Sequence, residues 1–297
     1  MTFDLRTFSS VVKVSDGAWG TELQNAGLAA GTPPELWNTL HPHLIQKVAD
    51  SYVQAGSDVI LTNTFGANRF VLAGVRSEGK VAQLAEEGVK ISRLAADRST
   101  RPGGVKVFAS IGPSGKIVMT EEVPREKLLS AFAEAGEALS WGGADAIVLE
   151  TFNELDEAMI ALEACKKSTD LPVIVSMTFA SGPDKTSTIM GNKPTDLARL
   201  AKRHGADAVG ANCGLGPENY IRVVELLRQA TDLPIWVKPN AGLPIVGKDR
   251  KTVFPMGPEE FAGFVPAMVK AGANFIGGCC GTTPRHISAV RKAVDSL

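Results

Sequence analysis

The sequence contains no apolar stretch approaching the roughly 18 residues that a membrane helix needs, so no membrane-spanning role is expected. It also lacks an excess of charge. Lys and Arg number 31 against 32 Asp and Glu, a formal net charge of −1, which gives no electrostatic footprint for nucleic acid or an anionic membrane. Its first residues, MTFDLRTFSSVVKV, lack the basic-then-apolar order of a secretion signal, and a cytoplasmic protein is expected. No Pro/Gly/Ser-rich linker splits the 297 residues, so residues 1–297 read as one domain. There is no Cys-x-x-Cys pair, hence no usual structural zinc signature. Four cysteines in a reducing compartment are too few and too uneven for a disulfide framework, and adjacent cysteines rarely bridge without strain.

What is present is a recurrence. Gly, a small residue, Asp or Asn and then an apolar run appear as AGSDVILTN (55–63), GGADAIVLE (142–150), HGADAVGAN (204–212) and AGANFIGGC (271–279). An amphipathic segment precedes each, so the glycine reads as a left-handed helix stop before a short strand. DLPVIVSM (170–177) and DLPIWVKP (232–239) add two strands with proline at the entrance, where its missing N–H does no harm. VVKVSD (11–16) and VKVFAS (105–110) bring the count to eight. Short, wholly apolar strands separated by helices are the pattern of parallel strands buried on both faces, and eight of them predict a single (β/α)8 barrel. An open doubly wound sheet is the structural competitor.

Barrels carry their chemistry at the C-terminal strand ends. There the sequence places Asp16 and Gly17, Asn63 and Thr64, Ser110, Glu150 and Thr151, Thr178, Asn212 and Cys213, Pro239 and Asn240, and finally Cys279 and Cys280. Three of the four cysteines therefore share one rim. Cys165 falls inside LDEAMIALEACKKS at a packing position. Three converging thiolates with a vacant fourth place make a catalytic zinc site, and the glycines of GGCCG permit the turn that aims two consecutive side chains at one ion. The bland alternative is three small buried hydrophobes. Asp16 and Glu150 suit a cationic substrate group; the bland alternative for each is a salt bridge or a helix cap, and Asp16 could simply cap the segment that begins GAWGTEL. The turns DGAWG and GGCCGTTP offer backbone N–H groups to a carboxylate or a phosphate, with Thr282 or Thr283 and Pro284 opening a helix. His41, His43, His204 and His286 lie away from strand ends, and none is assigned to zinc.

DGAWGTEL, ADSYVQAGSDVILTNTFGANR, VLETFNELDEA, GANCGLGPEN, KPNAGLP and GGCCGTTPRHI together resemble the homocysteine S-methyltransferase family over most of the chain. The similarity is nearest to the homocysteine-binding module of cobalamin-dependent methionine synthases. The resemblance implies Cys213, Cys279 and Cys280 as Zn2+ ligands with the substrate thiolate in the fourth place. It implies Asp16 and Glu150 near the homocysteine amino group and the Gly17 backbone near its carboxylate, with Asn63, Ser110 and Asn212 also at the substrate site. The expected reaction is zinc-dependent methyl transfer to homocysteine, giving methionine. A free thiol with pKa near 8.5 is mostly protonated at pH 7, and zinc binds the deprotonated form.

The chain carries no folate- or cobalamin-binding module and no betaine-type extension, and Thr151 follows Glu150 where betaine users have an aromatic residue. The expected donors are therefore S-methylmethionine or another sulfonium, or a methylcorrinoid on a separate protein. Competing expectations are methyl transfer to a different thiol, a non-catalytic zinc and thiol sensor or carrier, and a lyase or aldolase using Lys238 as a Schiff base.

Overall fold

A computed structural model describes residues 3–246 and 252–297. Among them, eight parallel strands alternate with helices: β1 (Lys13–Val14), β2 (Val59–Ile60), β3 (Lys106–Ile111), β4 (Ala146–Phe152), β5 (Val173–Met177), β6 (Ala208–Asn212), β7 (Ile235–Lys238) and β8 (Phe275–Ile276). Each pairs in parallel with the next from β2 to β8, and β8 pairs with β1. A parallel bridge between Ser15 and Val59 joins β1 to β2. That contact closes the sheet into the expected (β/α)8 barrel and removes the open-sheet alternative. No described helix is long and apolar enough to cross a membrane.

The recurring Gly-x-Asp/Asn pattern does more than stop helices. Gly56, Gly143, Gly205 and Gly272 all have left-handed φ, between +83° and +115°, a conformation that glycine adopts without a Cβ penalty. The acidic or amide residue two positions on then reaches across to the preceding strand. Asp58 accepts the Val14 N–H of β1, Asp145 the Val107 N–H of β3, Asp207 the Val173 N–H of β5, and Asn274 the Ile235 N–H of β7. One side chain per pair thus ties the start of each odd strand to the even strand after it. Asp58 is further held by Arg101 and Arg291, and Asp145 by Arg93.

The lower barrel is filled by aromatic rings. Phe108, Trp236 and Phe275 lie with centroids 5.4–6.0 Å apart and are fully buried. A short helix, Leu5–Phe8, closes this end by bringing Phe3 and Phe8 onto Phe108; Asp4 caps it by accepting the Arg6 and Thr7 N–H groups. Burial of each such ring stabilises the barrel by about 1.5–3 kcal/mol. The opposite, C-terminal end is left for polar groups.

Candidate active site

The strand ends surround a cavity of about 530 Å³. Its floor holds Cys213, which follows β6, and Cys279 and Cys280, which follow β8. β7 lies between those strands and fixes both cysteine turns: the Cys213 N–H donates to the Lys238 carbonyl at 3.0 Å and the Cys279 N–H to the Pro239 carbonyl at 2.7 Å. Cys213 itself has φ +66°, an unusual conformation for a side chain with a Cβ, and its carbonyl accepts from the Tyr220 hydroxyl and the Leu215 N–H. At the other turn Gly281 has φ +80°, and a Cβ there would lie 2.2 Å from Phe254.

The Sγ atoms of Cys213 and Cys280 are 3.8 Å apart and those of Cys279 and Cys280 4.0 Å, and all three lie within 4.8 Å of one another. Tetrahedral zinc with bonds of about 2.3 Å spaces its sulfur ligands about 3.8 Å apart, so two of the three spacings already match such an ion and the third lies within 4.8 Å. The cluster is also electrostatically incomplete. Hydrogen bonds from the Cys279 and Cys280 thiols pull the Cys213 thiol far below its ordinary value, and the same bonds push the other two up. Three thiolates this close together repel one another, and a cation among them offsets that repulsion. Cys165 is fully buried in the helix Leu155–Ser168, where burial pushes its thiol up to about 12, in keeping with the expected packing role.

Glu150, near the end of β4, lines the cavity and is 8% exposed. The Ser110 hydroxyl donates to its Oε1. Burial raises its carboxyl above the ordinary value, and the nearby Lys238 ammonium opposes that rise. Gly17, Asn63 and Ser110 also border the cavity. Both Asn63 amide hydrogens are already used, on the Pro34 carbonyl and on Asn38 Oδ1, each at 2.8 Å, so this residue fastens the Pro33–Leu36 wall to β2.

Two expected site residues stand behind the wall. Asp16 is fully buried; one carboxylate oxygen accepts from the Lys238 ammonium, the other from Trp19 Nε1 and the Leu61 N–H, both at 2.7 Å. It does not cap a helix, since the helix Trp19–Asn25 starts after Ala18 with no side-chain cap. Asn212 accepts the Thr151 N–H and the Ser176 hydroxyl and donates to Thr151 Oγ1. It thereby holds Thr151, which faces the cavity with φ +67°. Thr178 turns to the Asn212 carbonyl, and Pro284 opens the last helix after Thr283 as expected. Sequence alone offers Lys238 only as a Schiff-base lysine; in the structure it lines the cavity together with Glu150. Its signal was its place as the last residue of β7, one position before the Pro239 that marked that strand end.

A closed (β/α)8 barrel with three cysteine thiols gathered at its C-terminal mouth defines a barrel with a candidate metal site. The model of the homocysteine S-methyltransferase family matches residues 13–294, and the chain belongs to that family. It is 31% identical over 98% of its length to a methionine synthase of Mycobacterium leprae, and 30% identical over 99% to a methionine synthase of Mycobacterium tuberculosis. The chain spans about a quarter of the length of these two relatives. Among solved structures it is similar to the metallated form of the Escherichia coli homocysteine methyltransferase MmuM, with TM-score 0.80 and 25% identity over 98% of this chain and 99% of that one. The oxidized form of the same enzyme gives TM-score 0.79 over 97% and 98% of the two chains.

Proposed function

We propose that this barrel transfers a methyl group to the thiolate of homocysteine, giving methionine, with Cys213, Cys279 and Cys280 holding a zinc ion. The observation that carries the reading is the spacing of the three thiols on the floor of a cavity that also contains Glu150. Zinc in such a site supplies the means to hold a thiol as its thiolate at neutral pH. The remaining work falls to the chain. Glu150, steadied by Ser110, receives the substrate ammonium. The Gly17 turn offers its backbone to the substrate carboxylate. The walls fix the acceptor sulfur about 3–3.5 Å from the incoming methyl carbon, which removes most of the entropic cost of the encounter.

In the transfer, a sulfur–carbon bond forms as the donor's bond to the same methyl breaks. A sulfonium donor leaves as a neutral thioether; a methylcorrinoid leaves with the electron pair on cobalt. The cavity lining includes Trp19, the half-exposed Phe65, Pro33, Pro34 and Pro113 and is mostly apolar, and aromatic side chains there suit a sulfonium. S-methylmethionine or a related sulfonium is therefore the favoured donor, with a methylcorrinoid on a separate protein as the other. The test is a donor panel assayed with homocysteine and zinc-loaded protein. Methionine formed from a sulfonium is the expected result. Methionine formed only from methylcobalamin reverses the order of donors. No product from any donor overturns the enzyme reading in favour of a zinc and thiol carrier.

A further inference from the structure

We infer that Thr282 is a positioning residue for two parts of the site at once: its hydroxyl ties the turn that carries Cys279 to the Gly17–Ala18 turn, and so sets the distance between the metal and the backbone that meets the acceptor. This rests on the zinc and acceptor readings above and adds to them a side chain that touches neither ligand.

Thr282 is fully buried behind the cavity, just before the Thr283 cap of the last helix. A hydroxyl has one hydrogen to give and lone pairs to receive. That of Thr282 gives its hydrogen to the Cys279 carbonyl at 2.7 Å and receives the Ala18 N–H at 3.2 Å. The Thr282 N–H also donates to the Cys279 carbonyl, at 3.1 Å. Both ends of the link are held elsewhere as well. The Cys279 N–H donates to Pro239 at the end of β7, and the Ala18 carbonyl accepts from the buried Tyr52 hydroxyl at 3.0 Å. Space is as restricted as the hydrogen bonding. A Cβ on Gly278 would lie 2.4 Å from Thr282 Oγ1 and Cγ2, and one on Gly17 would lie 2.9 Å from Oγ1. The threonine therefore fills the gap between two glycines that both border the cavity. Its β-branched side chain has few rotamers, which keeps the hydroxyl aimed. The Gly278 N–H joins the same two turns through the Asp16 carbonyl at 3.0 Å, using backbone alone. That strut keeps the turns together without Thr282, so removing the hydroxyl disturbs their alignment rather than their meeting. Groups that orient a metal ligand from behind govern how well the metal is held as well as where it sits.

The test compares wild type with Thr282→Val, which keeps the shape and loses the hydroxyl, and with Thr282→Ser, which keeps the hydroxyl. Cobalt(II), titrated into metal-free full-length protein in place of zinc, reports ligand geometry through its visible absorption bands. Homocysteine is then titrated calorimetrically into the cobalt form. Thr282→Val is expected to bind about one cobalt per chain with shifted bands. It should weaken both cobalt and homocysteine by about 10-fold, the cost of losing a group that orients a metal ligand. Thr282→Ser restores the bands and both affinities. A purely structural role would lower the urea midpoint of Thr282→Val and leave bands and affinities as in wild type, and that result overturns the inference. A Thr282→Ser that behaves like Thr282→Val, or weakening of only one of the two ligands, overturns it too. Should Thr282→Val fail to fold, Thr282→Ala carries the same comparison. Wild type that binds no cobalt overturns the metal reading, and wild type that takes cobalt but not homocysteine overturns the acceptor reading; either takes the inference with it.

Discussion

Breaking the Asp16–Lys238 pair tests how the floor of the cavity is held. Both side chains are out of water, 0% and 3% exposed, so neither charge is solvated once the other is gone. Removing one partner of a buried pair costs about 3–5 kcal/mol. Lys238→Met should fall at the lower end, about 3 kcal/mol, because Asp16 keeps two donors, Trp19 Nε1 and the Leu61 N–H. Asp16→Asn should fall at the upper end, about 5 kcal/mol: the ammonium loses its anion, and the new amide group must turn its NH2 either towards Lys238 or towards two N–H donors. The double variant removes both charges together and should cost less than the sum of the two by about 3 kcal/mol. Urea unfolding, followed by tryptophan fluorescence and far-ultraviolet circular dichroism, measures all three against wild type. The transitions must coincide by both probes for the comparison to hold. Additivity within about 0.5 kcal/mol would refute the reasoning, since independent sites behave that way.

Metal analysis of purified protein should find about one zinc per chain, falling sharply in Cys213→Ala or Cys280→Ala and kept in Cys165→Ala; equal loss from Cys165→Ala would sink the ligand set. Glu150→Gln should weaken homocysteine binding about 10-fold or more with zinc content unchanged, because the amide offers the ammonium no charge. Equal affinity by titration calorimetry counts against its role. Glu35 provides a pH prediction. It is 1% exposed and accepts the Gly66 N–H through Oε1, its other oxygen has no partner among the described residues, and burial raises its carboxyl above the ordinary 4.5. A folded-state value above the unfolded one stabilises the protein below the unfolded value, and that contribution is lost as pH rises through the folded value. Glu35→Gln does not titrate, so its stability relative to wild type should increase as the pH rises above the ordinary carboxyl value of 4.5. A difference in urea midpoint that stays flat or falls over that range contradicts the account.

The sequence made the barrel and the thiol cluster legible for one reason: both follow from position along a strand. Apolar runs and helix-stopping glycines are local signals, and once the strands are placed, closure brings Cys213, Cys279 and Cys280 to one rim. The partners of those strand-end residues were not legible. Asp16 and Lys238 are 222 residues apart, and only the closing of β1 onto β8, with β7 beside it, makes them neighbours. The sequence could show that Asp16 was a carboxylate at the rim, but not that its charge was already taken. The same holds for Phe3 and Phe8, which read as part of an unremarked N-terminal stretch and prove to seal the lower end of the barrel. The Asp/Asn of the recurring motif was visible as a repeat, but its reach to the previous odd strand became apparent only with strand pairing.

Asn212 shows how a residue behind the wall can still govern the site. Among the described residues five that are not glycine have left-handed φ, and two of them, Thr151 and Cys213, border the cavity. Each such conformation costs on the order of 1–3 kcal/mol and persists only where its surroundings hold it. Asn212 immediately precedes Cys213 and makes two hydrogen bonds to Thr151, one to its N–H and one to its hydroxyl. The Cys213 turn is tied in its own right by Tyr220, Leu215 and Lys238. The strained Thr151 peptide, which follows Glu150, is thus coupled through one buried amide to the strained turn that aims the Cys213 thiol. Glu150 and the cluster are held in register by that link. Their spacing is therefore set by the backbone of β4 and β6 rather than by whatever occupies the cavity.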